Sequence, residues 1–377
     1  MKILIAPDSF KHSLTAKKVA DFLAEGILRV FPDAEILKVP VADGGEGTVQ
    51  ALVDATGGRI VKTRVHDPLM RMIESRFGIL GDGKTAVIEM AAASGLELLE
   101  DHELDPMSAT TFGTGELMKK ALDEGVEKMI IGIGGSATND GGTGMAAALG
   151  AKFLDKNGNE VKPGGGEIGK IETIDLYHLD ERLKHCRVTV AADVTNPLTG
   201  VDGAAKVYAA QKGAGREQVQ QLEENMKHFA GIIRKELSKQ IENTPGAGAA
   251  GGLGAGLMVF AGADIDPGFD VVKHTVQLEE KMKDVNLVIT GEGRIDRQTQ
   301  FGKTPHGVAM LAKKYNLPVI AFAGTLGERY KEMYDKGLDA IFPIADKPMD
   351  LKTSLKQAGP LLADAAERMS RIIRLYL

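Results

Sequence analysis

The chain has 377 residues, a length that favours two domains. Its net charge of −6 and its hydrophobic content of 43% are ordinary for a water-soluble globular protein, and they exclude the basic footprint of a nucleic-acid-binding protein. A single cysteine, Cys186, excludes an internal disulfide bond. The sequence shows neither a signal peptide nor an apolar run of ~20 residues, so we expect a cytoplasmic protein without a membrane or nucleic-acid partner.

Strands and helices alternate at both ends of the sequence. The predicted strands are 2–6, 35–39, 286–290, 318–323 and 339–344. The predicted helices are one that Thr15 caps, 46–55, 305–314, a stretch near 328–336 and a final amphipathic helix. The first strand is an apolar run without alternation, as a buried parallel strand is. Five strands with helices between them predict a flavodoxin-like domain built from both chain ends.

The middle of the sequence has a different pattern. Segments 59–65, 72–80 and 85–90 follow one another with short turns, which predicts an antiparallel meander. A helix at 114–124, strands at 128–133 and 188–192, and a long polar helix at 217–242 come after it. We therefore expect a two-domain α/β protein. A flavodoxin-like parallel-sheet domain comprises residues 1–58 and 284–377, and an inserted α/β domain with a mixed sheet comprises residues 59–283.

A glycine-rich segment at 131–145 follows an apolar strand and precedes a helix of small residues. Glycines let backbone N–H groups approach a ligand closely, and a helix N-terminus attracts anions. Short polar side chains stand at the same point, which suits a phosphate group with its metal ion. The predicted nucleotide-binding residues are Gly134, Gly135, Ser136, Thr138, Asn139 and Asp140. The simpler alternative is a tight strand-to-helix turn that binds no ligand.

Two other nucleotide-binding patterns match the sequence. Residues 78–85 fit the P-loop expression, but a strand follows them where a P-loop needs a helix, so we interpret residues 81–83 as a hairpin turn. Gly132, Gly134 and Ala137 fit a loose dinucleotide fingerprint, and Asp155 has the spacing of its ribose-binding acid. A dinucleotide-dependent oxidoreductase is therefore the first alternative function. A non-catalytic protein that senses a sugar acid is the second.

Further motif segments extend along the whole chain. They are 6–11 (Ala-Pro-Asp-Ser-Phe-Lys), 40–47, 191–198, 211–213, 246–254 and 290–296. Together with 131–145 they resemble the glycerate kinase family of bacterial sugar-acid metabolism, of the glycerate 2-kinase type. The resemblance implies a two-domain kinase, one domain flavodoxin-like and one restriction-enzyme-like. It also implies ATP and Mg²⁺, with D-glycerate converted to 2-phosphoglycerate, or alternatively to 3-phosphoglycerate, in glyoxylate- or glucarate-type metabolism.

Phosphoryl transfer needs positioned reactants, cations on the transferring oxygens and a group that orients or deprotonates the attacking hydroxyl. We predict Asp193 as the general base, with Asp296 or Asp43 as a substitute base, and Lys11 as a catalytic cation. The predicted Mg²⁺ ligands are Asp43, Glu46 and Asp193, with Asp8 able to serve the same role, and Lys212 is predicted to bind a nucleotide phosphate. The predicted substrate-binding residues are Ser9, Lys11, Asp43, Arg71, Glu292 and Arg294.

Two residues depart from the family pattern. His12 and Met70 stand where the family has glycine, so their loops are expected to differ in shape. Neither change removes a charged group. We expect a monomer or a weak homodimer.

Overall fold

The computed structural model describes residues 1–376. The strands are β1 (Lys2–Ile5), β2 (Glu35–Lys38), β3 (Arg59–His66), β4 (Met72–Ile79), β5 (Thr85–Glu89), β6 (Lys128–Gly132), β7 (Lys152–Leu154), β8 (Thr173–Asp175), β9 (Arg187–Ala191), β10 (Asp264–Asp266), β11 (Leu287–Ile295), β12 (Val319–Leu326) and β13 (Ala340–Pro343). The α-helices are α1 (Ala16–Leu28), α2 (Thr48–Thr56), α3 (Ala91–Ser94), α4 (Phe112–Asp123), α5 (Thr143–Ala148), α6 (Ala204–Tyr208), α7 (Arg216–Leu237), α8 (Ala249–Phe260), α9 (Gly268–Thr275), α10 (Leu278–Met282), α11 (Thr304–Lys313) and α12 (Leu351–Ile373).

The described residues form two compact units. The first comprises Met1–Asp43, Gln50–Gly58 and the chain from Phe269 onward, and the second comprises Gly44–Val49 and Arg59–Gly268. The sequence-based limits, 1–58 with 284–377 and 59–283, remain predictions about where independently folding domains end. No helix among residues 1–376 is long and apolar enough to cross a membrane.

The first unit contains a five-stranded parallel sheet in the order β13-β12-β11-β1-β2. Numbered within the unit, this is the order 2-1-3-4-5 of flavodoxin-like folds. Thr15 caps α1 as predicted, since its hydroxyl accepts the N–H of Lys18. Apolar faces of α1 and α12 pack into one core with the sheet. The predicted fold class is confirmed for this unit.

The second unit contains a six-stranded mixed sheet in the order β10-β9-β6-β5-β4-β3. The first three strands of the chain segment pair antiparallel, as the meander predicted, and β5, β6, β9 and β10 pair parallel. The P-loop-like segment is a hairpin turn, because Gly83 donates its N–H to the carbonyl of Leu80 and has φ 68°. The mixed sheet and the rejection of a P-loop are confirmed.

Three predicted helices differ from the structure. The stretch near 328–336 is a 3₁₀ helix (Tyr330–Lys336). Arg329 before it and Gly337 after it adopt the left-handed conformation and limit its length. The long polar helix ends at Leu237 because Ser238 adopts a left-handed conformation. The helix after the glycine-rich turn, α5, begins only at Thr143, because Gly141 and Gly142 have positive φ angles.

His12 and Met70 adopt a backbone conformation that favours glycine. Their φ angles are 62° and 64°, in the left-handed region where a side chain costs free energy. The chain therefore carries local strain at these two positions, and the expected difference in loop shape remains a prediction.

We expect Met70→Gly to raise the free energy of unfolding by about 0.5 kcal/mol. The left-handed conformation of a non-glycine residue costs roughly 1–2 kcal/mol, and the conformational entropy of glycine offsets roughly 0.5–1 kcal/mol of that gain. Met70 is exposed, so the substitution removes little packing. Urea denaturation measures the change. His12→Gly should gain less, since histidine tolerates this region better, and a destabilised Met70→Gly protein would contradict the prediction.

Candidate active site

In the first unit, the carboxyl ends of β1 and β11 meet where the strand order reverses. Open parallel sheets bind their ligands at such points. Asp8 follows β1, and Glu292 lies in the second half of β11. The N–H of Asp8 donates to the carbonyl of Gly291 (2.8 Å), and both carboxyl side chains are buried. Two buried carboxyl groups therefore stand at the ligand-binding edge of this sheet.

A threonine hydroxyl anchors each of these carboxyl groups. Thr304 Oγ1 donates to Asp8 Oδ2 (2.6 Å), and Thr299 Oγ1 donates to Glu292 Oε1 (2.6 Å). Burial, reinforced by repulsion from Asp43, raises the pKa of Asp8 to about 7. Burial also raises the pKa of Glu292 to about 7, against the hydrogen bond from Thr299. Carboxyl groups that exchange protons near neutral pH suit general acid–base catalysis.

The same edge carries other predicted residues. Ser9 donates its backbone N–H to Asp8 Oδ1 (2.6 Å). Lys11 is exposed, and its positive charge acts on Asp8, where it opposes the rise in pKa. The negative charge of Asp43 acts on both Asp8 and Glu292. The first unit thus brings Ser9, Lys11, Asp43 and Glu292 together around Asp8.

Both arginines predicted to bind the substrate carboxylate are engaged within the protein. Arg71 Nε donates to the buried Asp67 (2.5 Å), and Arg71 Nη1 donates to Glu103 (2.5 Å). Arg294 Nε donates to Asp296 Oδ2 (2.9 Å), so the predicted substitute base is also part of an ion pair. A substrate carboxylate would compete with these partners, and the substrate contacts of both arginines remain predictions.

In the second unit, the glycine-rich turn after β6 has an accessible and a buried half. Gly134 and Gly135 are exposed, and Gly135 is left-handed with φ 74°. Residues 138–140 are completely buried. The helix that follows has six residues and begins beyond the turn, so the N–H groups for an anion come from the turn itself. A phosphate group can reach the first half of the turn but not the second.

Lys212 supplies a buried cation to this turn. Its side chain is 1% exposed, and its Nζ donates to Ser136 Oγ (2.6 Å) and to the carbonyl of Thr138 (2.7 Å). Burial lowers the pKa of Lys212 to about 7, while the charge of Asp140 acts in the opposite direction. A phosphate group beside Nζ would favour the charged lysine again. This geometry supports the predicted phosphate contact of Lys212.

Three polar atoms in the buried half have no hydrogen-bond partner in the structure. They are Thr138 Oγ1 and both amide atoms, Oδ1 and Nδ2, of Asn139. Such atoms are rare in folded proteins, and each costs about 1–3 kcal/mol when it is left unpaired. Their presence under the turn fits a site that a bound ligand or an ordered water completes.

The carboxylate of Asp140 holds the buried half of the turn together through several hydrogen bonds. Its Oδ2 accepts the N–H (2.8 Å) and the hydroxyl (2.9 Å) of Thr111 and the hydroxyl of Thr110 (3.1 Å). Its Oδ1 accepts the N–H of Gly142 (3.1 Å). Protein donors thus occupy the carboxylate from several sides. These bonds give Asp140 a structural role, because a buried carboxylate must be hydrogen-bonded. Its contact with a metal–nucleotide remains a prediction.

We expect Asp140→Asn to lower the free energy of unfolding by about 2–3 kcal/mol, since hydrogen bonds to a buried charge are lost and an amide N–H₂ faces other donors. Urea denaturation measures it. The matched control is Asp155→Asn, because Asp155 Oδ1 accepts the N–H groups of Asn157 (2.8 Å) and Asn159 (2.9 Å) in an accessible turn. Equal losses in the two variants would contradict the structural role. Because Asp155 accepts these two N–H groups, its place in the sequence is explained by the turn, and no ribose-binding role is needed.

The second glycine-rich segment, 246–254, packs directly against the buried half of the glycine-rich turn. The N–H of Gly141 donates to the carbonyl of Gly251 (3.0 Å). A Cβ atom on Gly251 would lie 2.0 Å from the carbonyl oxygen of Thr138. Ala250 also has a left-handed φ of 52°. The segment needs glycine for this close backbone approach, and we infer a supporting role for it.

A cavity of about 190 Å³ opens beside the accessible half of the turn, wholly within the second unit. Its polar lining comes from the turn and the lysine segment: Gly134, Gly135, Ser136, Gln211 and Lys212. Its apolar lining is Leu96, Ile133, Val194, Tyr208 and Ala250. Sequence reasoning assigned these side chains no role. Ile133, Val194 and Ala250 lie inside motif segments, but an apolar side chain gives no binding signal by itself, and Leu96 and Tyr208 lie outside every motif segment.

The predicted general base, Asp193, follows β9 and is exposed. Its Oδ1 accepts the N–H of Gly268 at the start of α9 (2.9 Å). The predicted metal ligand Glu46 is also exposed.

Sequence reasoning missed Glu89, whose carboxyl group is largely buried. Burial raises the pKa of Glu89 above its usual range, and its Oε1 accepts the N–H of Val49 (2.8 Å). The available signal was an acidic residue at the end of an apolar strand.

The predicted Mg²⁺ ligands do not form a complete site by themselves. Among residues 1–376, no three His, Cys, Asp or Glu side chains are grouped closely enough to hold a metal ion. Mg²⁺ usually keeps several waters and takes one or two carboxylates together with phosphate oxygens. The ligand set of Asp43, Glu46 and Asp193 therefore remains a prediction.

Comparisons with known proteins agree with this picture of the fold. The model of the glycerate kinase family matches residues 3–374. A glycerate kinase from Haemophilus influenzae is 50% identical over 99% of this chain and 99% of its own length. A glycerate 2-kinase from Escherichia coli is 52% identical over 91% of this chain and 90% of its own length.

A solved structure shows the same fold. It is described as a candidate glycerate kinase 2 from Salmonella typhimurium LT2, is 47% identical, and covers 100% of this chain and 98% of its own, with a TM-score of 0.92. Similarity at this level extends over both units, so it concerns the whole chain and not one shared domain. The chain is a kinase and belongs to the glycerate kinase family.

Proposed function

We propose that this kinase transfers the γ-phosphoryl group of ATP to D-glycerate and forms 2-phosphoglycerate, with Mg²⁺ as its cofactor. The observation that carries the proposal is the buried Lys212 held against the glycine-rich turn, in a chain about half identical to glycerate kinases. The Escherichia coli relative is named a glycerate 2-kinase, which favours the secondary hydroxyl as acceptor. 3-Phosphoglycerate is the alternative product.

The second unit supplies what a donor nucleotide needs. Exposed Gly134 and Gly135 offer backbone N–H groups, and Lys212 offers a cation that negative charge stabilises. A triphosphate is the kind of ligand that uses a nest of N–H groups and a lysine together.

The first unit supplies groups for a small hydroxy acid. Lys11 provides a positive charge for a carboxylate. Asp8 and Glu292, with pKa values of about 7, can accept the proton of an attacking hydroxyl at neutral pH. They join Asp193, the base predicted from sequence, as candidates. We favour the buried pair, because the pKa of an efficient base lies near the working pH.

A cation would suit the carboxyl groups of the first unit, because Asp43 repels both Asp8 and Glu292 and a cation would relieve that repulsion. This supports Asp43 as a residue that would hold Mg²⁺. Glu46 and Asp193 stay ligands predicted from the sequence. When bound, Mg²⁺ neutralises charge on the transferring phosphoryl group. The protein's own part is to position the reactants and to accept the proton.

The test is ADP release from the purified protein with ATP and Mg²⁺ against D-glycerate, L-glycerate, glycerol, lactate and no acceptor. We expect turnover that depends on D-glycerate. ³¹P NMR of the product then shows a doublet if the phosphate is on the methine carbon and a triplet if it is on the methylene carbon. Turnover with another hydroxy acid alone would replace the substrate. The absence of turnover with any acceptor would contradict the proposal.

A further inference from the structure

We propose that the apolar lining of the cavity beside the glycine-rich turn binds the purine base of the donor nucleotide, with Leu96, Val194 and Tyr208 as its walls. This inference rests on the proposed ATP-dependent function and adds to it three side chains to which the sequence pattern assigned no role. The cavity has a volume of about 190 Å³. Complete ligand pockets have volumes of roughly 300–1,000 Å³, so this cavity would enclose a nucleotide only in part.

The lining of the cavity combines two kinds of chemistry. The turn and Lys212 contribute polar groups, and other residues contribute aliphatic and aromatic side chains. D-glycerate and free phosphate have no apolar face and can use only the polar groups. A nucleotide has an anionic chain and a flat ring, so it can use both kinds of lining. The apolar walls are therefore the part of the cavity that a nucleotide explains and a sugar acid does not.

Backbone hydrogen bonds fix the first wall to the turn. The N–H of Leu96 donates to the carbonyl of Gly135 (2.9 Å), and the N–H of Ala137 donates to the carbonyl of Ser94 (2.9 Å). These two bonds run in opposite directions and form an antiparallel bridge between the segments. Leu96 therefore keeps its place beside the N–H groups whether or not a ligand is bound.

The aromatic wall is fixed by its polar end. Tyr208 donates its hydroxyl to Asn196 Oδ1 (2.6 Å), and Asn196 Nδ2 donates to the carbonyl of Asp202 (2.8 Å). Tyr208 is the last residue of α6, and Lys212 lies in the 3₁₀ turn directly after it. One short segment thus carries both a ring for stacking and the cation for phosphate. A wall that is ordered in advance loses little entropy on binding.

The third wall is accessible to solvent. Val194 is 38% exposed, which is high for an apolar residue beside a cavity, and a base that covers it removes apolar surface from water. Gln211 is exposed at the same cavity, and its amide offers both a donor and an acceptor to the polar edge of a base. Val201 is 78% exposed and does not line the cavity, so it serves as a matched control.

The chain has no tryptophan, which allows a direct optical test. In Tyr208→Trp the single indole stands in the cavity, and in Val201→Trp it stands outside. We expect AMP and ADP to change the emission of Tyr208→Trp in a saturable way, and inorganic tripolyphosphate, which has no base, to leave it nearly unchanged. Val201→Trp should respond to none of them. An unchanged emission of folded Tyr208→Trp with both nucleotides would overturn the proposal.

A second pair of variants does not depend on that substitution. Val194→Glu places a charge against the base, and Val201→Glu places the same charge outside the cavity. We expect Val194→Glu to raise KM for ATP about tenfold or more, equivalent to about 1.4 kcal/mol, with KM for D-glycerate and kcat within about twofold. Val201→Glu should match the wild type. An unchanged KM for ATP in Val194→Glu would overturn the proposal.

The same measurements separate this inference from the proposed function. A wild-type protein without glycerate-dependent turnover, in which AMP still changes the emission of Tyr208→Trp, would keep the base site and reject the acceptor. A wild-type protein that phosphorylates D-glycerate, in which both variant pairs are silent, would keep the kinase and reject this base site.

Discussion

Asp8→Asn is expected to lower kcat about 100-fold or more while the protein stays folded. The buried carboxyl stands at the switch point of the parallel sheet, accepts a hydrogen bond from Thr304 and has a pKa of about 7, and a positioned base contributes about 100-fold to 10,000-fold. Steady-state kinetics with ATP and D-glycerate measure the loss. Because a base must be deprotonated, wild-type kcat should fall as the pH drops below about 7.

Asp193→Asn is the discriminating comparison. Asp193 is exposed and accepts the N–H of Gly268, so we expect it to affect turnover less than Asp8 does. If Asp8→Asn keeps a kcat near that of the wild type and Asp193→Asn loses about 100-fold, the general base is Asp193 and not Asp8. Glu292→Gln tests the other carboxyl of the buried pair. If the acidic limb of the pH profile survives in Asp8→Asn and disappears in Glu292→Gln, Glu292 is the base.

ATP binding is expected to take up a proton through Lys212. In the free protein burial lowers the pKa of this lysine to about 7, and phosphate oxygens beside its Nζ would raise it again. Near pH 8 the lysine is mostly neutral before binding and charged after it, so binding should take up about one proton. The dissociation constant should rise about tenfold per pH unit above pH 7.

Calorimetry in buffers of different ionisation enthalpy measures this uptake. The control is Lys212→Arg, because a guanidinium group stays charged at these pH values and removes the uptake. Lys212→Met should lower kcat/KM for ATP by roughly 10- to 100-fold, since charge-assisted hydrogen bonds are lost. Equal uptake by the wild type and a folded Lys212→Arg would contradict the assignment.

Several features of the site were readable from the sequence because they are local. A glycine-rich turn after an apolar strand, a lysine beside a glycine and an acid after a strand can be found without knowing any neighbours. The pattern of strands and helices at both ends also predicted the parallel sheet, since each strand is an apolar run between helices.

The sequence could not show which residues of the glycine-rich turn face the cavity and which support the turn from inside the protein. Ser136 and Asp140 are four residues apart and both polar, yet one lies at the cavity and the other is enclosed by Thr110 and Thr111. That difference depends on which distant segments cover each atom. The arginines show the same limit, because the partners that engage Arg71 include Glu103, which is far away in the chain.

The sequence alone determined the family, the parallel and mixed sheets, and the kinds of groups that meet a phosphate. Only the tertiary structure decided their protonation and their surroundings. Asp8, Glu292 and Lys212 titrate near neutral pH because the folded chain removes them from water, and desolvation is a property of the assembled neighbourhood and not of any residue type. The apolar walls at Leu96, Val194 and Tyr208 likewise exist only where separate segments meet around one cavity.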